Sequence, residues 1–102
     1  GLRKNVSRSI MHLEIVSPEA TLFTGEVDSV IVPGTTGSFQ MLNNHAPILS
    51  TLKEGTVTIS GKIELDHAVQ NKFKKQDDNT TLFEISSGTV EMRNNKLILL
   101  AD

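Results

Sequence analysis

The chain has 102 residues, a formal net charge of −2 and a pI of about 5.9. A domain of this length buries roughly two-thirds of its unfolded surface, so we expect one modest core. The charge balance provides no basic surface for nucleic acid, and the lack of cysteine excludes disulfides and thiolate metal sites. With 4% aromatic residues and neither Trp nor Tyr, stacking platforms for sugars or single-stranded bases are also missing.

The N-terminal ten residues are polar and basic and show no periodicity. We interpret residues 1–10 as a disordered extension or an expression remnant that precedes a domain at residues 11–102. No apolar run approaches the roughly 20 residues that span a bilayer, and no apolar stretch follows the N-terminal basic residues as in a signal peptide. We therefore expect a soluble protein on the cytoplasmic side.

The first half of the domain has the period-two pattern of half-buried strands. Met11, Leu13 and Ile15 alternate with polar residues until the turn at Ser17–Pro18. Further strands are predicted at residues 21–24 and 27–32, with Gly25 as a break between them and with the apolar run at 30–32 covered on both faces. The glycine-flanked turn that follows leads into a half-buried strand marked by Phe39 and Met41.

The second half predicts strands at residues 48–52, 56–60, 62–66, 82–86, 89–92 and 96–100. We expect residues 56–60 and 62–66 to form a hairpin across Ser60–Gly61. The turns at Ser87–Gly88 and Asn94–Asn95 contain residues that tolerate positive φ. Between residues 66 and 80 the alternation fails, which predicts a polar mobile loop or hairpin. The fold class is all-β: an antiparallel β-sandwich of about ten short strands with little or no helix.

The three histidines are the candidate metal ligands. His12, His45 and His67 could in principle hold zinc with Glu14, Glu64 or Asp66. His12 falls on the polar face of a strand and His67 in the polar segment, so solvated side chains are expected and no metal site is predicted. His45 precedes Ala46–Pro47, which restricts its geometry; a hydrogen bond that locks the loop and a contact with a partner remain alternative interpretations.

Catalytic motifs are lacking. No Gly-x-Ser-x-Gly elbow occurs, and the Gly34-x-x-Gly37 spacing lacks the lysine and following helix of a phosphate-binding loop. The cluster of Lys72, Lys74 and Lys75 is followed at once by acidic residues, as in a solvated loop. We predict no catalytic residues and no cofactor.

Five segments in order along the chain carry a family resemblance: residues 13–19 (LEIVSPE), 22–27 (LFTGEV), 32–39 (VPGTTGSF), 44–49 (NHAPIL) and 85–91 (ISSGTVE). Together they resemble the N-terminal β-sandwich of the epsilon subunit of F-type ATP synthase. The resemblance covers nearly everything from His12 to Asp102 except the polar segment. It does not include the C-terminal helical hairpin into which many members continue, and which can inhibit ATP hydrolysis.

The resemblance implies a non-catalytic subunit of the rotor's central stalk. Such a subunit joins the gamma subunit to the ring of c subunits and supports proton-coupled ATP synthesis at the cytoplasmic face of the bacterial inner membrane, as a peripheral protein. The implied c-ring side is the turn formed by Pro33, Gly34, Thr35, Thr36, Gly37 and Ser38. The implied gamma side comprises His45, Ala46, Pro47 and Ser50.

Two features depart from the family pattern. Gln40 stands where the family commonly has glycine after the Phe39 position, so the strand there is expected to run straighter. Residues 61–81 are longer than the usual hairpin, which predicts a surface elaboration. The alternative function is a free-standing β-sandwich adaptor that uses the same loops on an unrelated protein. A small ligand-binding enzyme is the third possibility, and it would need a concave pocket with convergent polar groups.

Overall fold

The computed structural model describes residues 11–102; the extension predicted at residues 1–10 lies outside the described residues. The described chain is built from ten strands and one 3-10 turn at Gln70–Lys72, which confirms the all-β prediction. The strands are β1 Met11–Val16, β2 Thr21–Val27, β3 Ser29–Gly34, β4 Gly37–Leu42, β5 Ile48–Leu52, β6 Gly55–Ser60, β7 Phe73–Asp77, β8 Thr80–Ile85, β9 Gly88–Arg93 and β10 Lys96–Ala101.

The strands form one curled sheet in the order β2-β1-β10-β9-β5-β3-β6-β8-β7, with β4 paired to β3. β5 and β3 meet only at the pair Leu52–Gly34, so the sheet is narrowest there and folds into two layers. The β1–β10 pair is parallel, with Leu13 opposite Leu97, and departs from the antiparallel arrangement that the sequence predicts. Adjacent parallel strands require a long connection, and here β2 to β9 lie between them along the chain.

The core lies between the two layers and is built by strand alternation. In β1, Met11, Leu13 and Ile15 are buried while His12 and Glu14 are partly exposed. In β3, five of six residues are buried, which confirms that this strand is covered on both faces. The fully buried side chains between the layers are almost all apolar, and Thr81 is the polar exception among the described residues. They include Leu13, Ile15, Val30, Val32, Met41, Val57, Ile59, Leu97 and Leu99.

The predicted strand at residues 62–66 is wrong. Gly61 has φ of 131° and turns the chain away from β6, and its N–H donates to Asn79 O at 2.8 Å. The partner of β6 is instead β8, with Ser60 opposite Thr80. Residues 62–66 still alternate in burial, with Ile63 buried, because the apolar side chains fill the core without a ladder. Sequence periodicity reports which side is buried and does not identify the pairing partner.

The break predicted at Gly25 is also wrong, because β2 continues through Gly25 opposite Leu13. The chain changes strand at Asp28 instead, so that the predicted strand over residues 27–32 begins two residues late, at Ser29. A β-carbon on Gly25 would lie 2.9 Å from Cζ of Phe23, so the missing side chain leaves space for this ring. Glycine here serves packing within a strand.

Residues 66–80 contain the 3-10 turn and β7. β7 pairs with β8, and the Phe73 and Phe83 rings stack across the pair with centroids 4.8 Å apart. The Asn79 N–H donates to Asp77 Oδ1 at 2.8 Å and closes the turn between the two strands. The elaboration therefore adds one edge strand to the sheet.

Candidate interaction surfaces

The β3–β4 turn predicted for the c-ring side is a two-residue hairpin loop. Gly34 pairs with Gly37, and Thr35 and Thr36 form the tip. Gly37 has φ of 138°, a conformation that glycine adopts without strain. Thr35, Thr36, Gly37 and Ser38 are exposed, whereas Pro33 and Gly34 are buried. Four of the six predicted residues therefore present a surface, and the other two support it.

The base of this tip is fixed by the neighbouring β5 strand. Lys53 N–H donates to Pro33 O at 2.9 Å, and Thr35 N–H donates to Thr51 O at 3.3 Å. A β-carbon on Gly34 would lie 2.7 Å from Gly37 O, so no larger residue fits there without a shift. The tip is thus a small polar projection on a hydrogen-bonded support.

The β4–β5 loop predicted for the gamma side contains a short contact of His45. Its Nδ1 lies 2.7 Å from Ala46 O, and since a carbonyl only accepts, Nδ1 donates in this bond. His45 N–H donates to Leu42 O at 3.2 Å. The loop-locking role of His45 is therefore present, and a partner contact remains a prediction. Ala46 and Pro47 are exposed.

Ser50 lies in β5, beyond the loop. It is half-buried, and its hydroxyl donates to Thr51 O at 3.2 Å. The tip and the loop lie at opposite ends of β4, Gly37–Leu42, which separates them by about 17 Å at the usual rise per residue. The two predicted contact segments can therefore face different partners at once.

An apolar outer surface on β5, β9 and β10 was not predicted as a site. Leu49 is 75% exposed and Leu100 is 49% exposed. The strand register places Leu49 opposite Glu91 and Glu91 opposite Ile98, while Leu100 pairs with Thr89 in the next row of this face. We call this surface the β5–β9–β10 face. The sequence signal for this face is the run of five apolar residues at 97–101, because a strand with one side in solvent would alternate apolar and polar residues.

The structure does not assemble the histidines into a metal site. Within residues 11–102, no group of three or more His, Asp or Glu side chains could hold a metal ion. His12 Nε2 lies 3.1 Å from Thr24 Oγ1 on the outer side of β1 and β2. His67 is exposed.

One groove of about 700 Å³ lies between residues 63–65 and β7. Ile63, Leu65 and Phe73 contribute apolar surface, and Lys75 Nζ donates to Ile63 O at 3.0 Å. The Lys75 ammonium therefore holds the two walls together. In the described part of the chain, no helix is long and apolar enough to cross a membrane.

The geometry defines a β-sandwich with separate exposed segments and an apolar outer face, which is typical of a subunit in an assembly. The model of the family "ATP synthase, Delta/Epsilon chain, beta-sandwich domain" matches residues 10–102. The chain belongs to this family. Epsilon chains of ATP synthase are non-catalytic subunits.

Two curated relatives and one solved structure illustrate the match. The ATP synthase epsilon chain of Chlorobaculum tepidum is 39% identical over 90 residues, 88% of this chain and 86% of the relative. That of Caulobacter vibrioides is 37% identical over 92 residues, covering 90% of each. The fold is also similar to a chain in the central stalk and c-ring of the Tetrahymena thermophila mitochondrial ATP synthase. The TM-score is 0.64 at 15% identity, and the match covers 89% of this chain and 62% of the other.

Proposed function

We propose that this chain joins the gamma subunit of an ATP synthase to the c-ring and supports proton-coupled ATP synthesis. It would act as a peripheral protein at the cytoplasmic face of a bacterial membrane. The proposal is supported most directly by one observation: an exposed hairpin tip and an exposed loop next to apolar side chains lie at opposite ends of β4. A connector between two partners needs two such separate surfaces.

For the c-ring, we propose the exposed part of the β3–β4 tip. Thr35, Thr36 and Ser38 present short hydroxyl side chains, which can hydrogen-bond to polar loops without carrying a charge into the contact. Transmission of torque needs a stiff contact and no chemistry. The hydrogen bonds from Lys53 and Thr35 to the neighbouring strands provide such stiffness.

For the gamma subunit, we propose the β4–β5 loop together with the β5–β9–β10 face. Leu49 connects the two, since it lies in β5 two residues after Pro47 and on that face. Burying an exposed leucine against a partner contributes about 1.5–3 kcal/mol, so Leu49 and Leu100 are candidates for the main binding contacts. Glu91, between Leu49 and Ile98, would select a partner with a basic or hydrogen-bonding group at that point.

The direct test is complex formation with the gamma subunit of the same organism. If the proposal holds, the two chains form a stoichiometric complex. Membranes that carry the c-ring should also retain this chain only when gamma is present, or retain more of it with gamma than without. The alternative of a free-standing adaptor predicts that folded gamma and this chain remain separate.

A further inference from the structure

The β4–β5 loop is joined to the β9–β10 turn by a reciprocal pair of asparagine hydrogen bonds. Asn44 N–H donates to Asn95 Oδ1, and Asn95 Nδ2 donates to Asn44 Oδ1 at 3.2 Å. The two residues are 51 positions apart in the sequence. One amide side chain thus uses both its acceptor and its donor on the residue that directly precedes His45.

Asn95 is well anchored. It is the second residue of the two-residue loop between Arg93 and Lys96, where Asn94 has φ of 54° and Asn95 has φ of 60°. Its carbonyl oxygen accepts a bond of 2.9 Å from His12 N–H on β1. The backbone that carries the amide is therefore fixed by β9, β10 and β1 together.

Asn44 is held mainly through this contact. It has φ of 64°, a left-handed conformation outside the strands, and its own side chain and N–H are the two groups bonded to Asn95. A conformation of this kind is unfavourable for most residues and persists where the surroundings determine it. The direction in which the chain enters His45–Ala46–Pro47 is consequently set by the β9–β10 turn.

We propose that Asn95 is a positioning residue for the β4–β5 loop, which orients His45, Ala46 and Pro47 for their partner. The functional part of this inference, binding to gamma, rests on the proposed function, whereas its structural part does not. Only the amide group of asparagine or glutamine carries an NH2 donor and a carbonyl acceptor on the same carbon, and of these two residues asparagine favours positive φ. Aspartate would keep the bond from the Asn44 N–H and lose the bond that Asn95 Nδ2 donates.

The structural part is tested on the isolated chain by amide hydrogen exchange with NMR detection. Asn95→Gly keeps the positive φ and removes the amide, and Asn94→Gly is the matched control in the same turn. The Asn94 side chain takes part in neither hydrogen bond of the Asn44–Asn95 pair. We expect the Asn44 amide to exchange roughly fivefold faster or more in Asn95→Gly and to be unchanged in Asn94→Gly, since one hydrogen bond is worth about a factor of five. Equal Asn44 protection in both variants would overturn the proposal.

The functional part is tested by titrating the same variants with the gamma subunit in a calorimeter. We expect Asn95→Gly to bind about fivefold more weakly than Asn94→Gly. Asn95→Gly combined with Asn44→Gly should bind no more weakly than Asn95→Gly alone, because the two residues act through one contact. Loss of Asn44 protection with unchanged affinity for gamma would overturn the link between positioning and binding.

Two further outcomes keep the test decisive. If the unmodified chain does not bind folded gamma, the proposed function fails, while the exchange of the Asn44 amide still decides the positioning role. If Asn95→Gly does not fold, Asn95→Asp replaces it. This variant should keep the Asn44 amide protected, because its carboxylate still accepts from the Asn44 N–H; an Asn44 amide as exposed as in an unfolded loop would contradict the proposal.

Discussion

Gly88 and Leu100 approach each other so closely that no side chain fits between them. A β-carbon on Gly88 would lie 2.3 Å from the carbonyl oxygen of Leu100. The sequence suggested that Gly88 serves a turn with positive φ, but among the described glycines only Gly37 and Gly61 have positive φ. Gly88 is instead the first residue of β9, and its lack of a side chain lets β10 lie against it.

We therefore predict that Gly88→Ala lowers the free energy of unfolding by about 1–3 kcal/mol, the usual range for overpacking. The clash involves a backbone oxygen, which cannot move away as the end of a flexible side chain could. Urea denaturation measures the effect. Ser86→Ala, at an exposed position two residues earlier, is the control and should change stability by less than about 0.5 kcal/mol. Equal stability of the two variants would show that β9 and β10 lie farther apart than the structure places Gly88 and Leu100.

The alternation of β10 gives a second prediction, on stability. Leu97 is fully buried opposite Leu13, whereas its neighbour Ile98 is only partly buried on the outer face. Leu97→Ala should cost about 2–5 kcal/mol, through lost burial and the cavity that remains. Ile98→Ala should cost clearly less. If the two substitutions had equal effects on the urea midpoint, the assigned register of β10 would be incorrect.

The β5–β9–β10 face gives a prediction on binding. Leu49→Asp should weaken binding to gamma by tenfold or more, because it places a charge in an apolar contact, while the folded state of the isolated chain is little affected at a side chain 75% exposed. Leu42→Asp is the control, since Leu42 is 48% exposed but lies on β4, outside this face. Calorimetric titration with gamma distinguishes the two. Equal losses of affinity in the two variants, or a loss only in Leu42→Asp, would show that gamma does not bind through the β5–β9–β10 face.

The β3–β4 tip gives a prediction on coupling. Ser38→Asp introduces a charge at an exposed position beside the tip, and we expect it to weaken seating on the c-ring more than folding. ATP-driven proton pumping in membranes that contain the variant should fall, while its melting temperature stays within a few degrees of the unmodified chain. Gln76→Asp, exposed on β7, should leave pumping unchanged. Normal pumping with incorporated Ser38→Asp would refute the assignment of the tip.

Much of the fold could be predicted from the sequence because local signals agreed with the tertiary structure. The alternation around Leu13 identified β1, and Asn94–Asn95 identified a turn whose residues both have positive φ. The strand at residues 62–66 was predicted wrongly because its alternation reflects burial beneath the sheet edge, while Gly61 directs the chain away from β6. Periodicity cannot distinguish a paired strand from an extended segment that only packs.

The candidate site was predictable only in part. The glycines around Thr35 and Thr36 and the Ala46–Pro47 pair identified the two projecting segments from local sequence. The β5–β9–β10 face depends on the register that brings Leu49 and Ile98 to either side of Glu91, and the Asn44–Asn95 contact joins residues 51 apart. Such relationships require the pairing of distant strands, which no local pattern specifies.

Size-exclusion chromatography with light scattering on this chain mixed with the gamma subunit of the same organism tests the central claim most directly. We predict one co-eluting stoichiometric complex, which the Leu49→Asp variant fails to form and the Leu42→Asp variant retains. Two separate peaks at concentrations of tens of micromolar, with gamma shown to be folded, would contradict the stalk-subunit proposal and favour a free-standing adaptor.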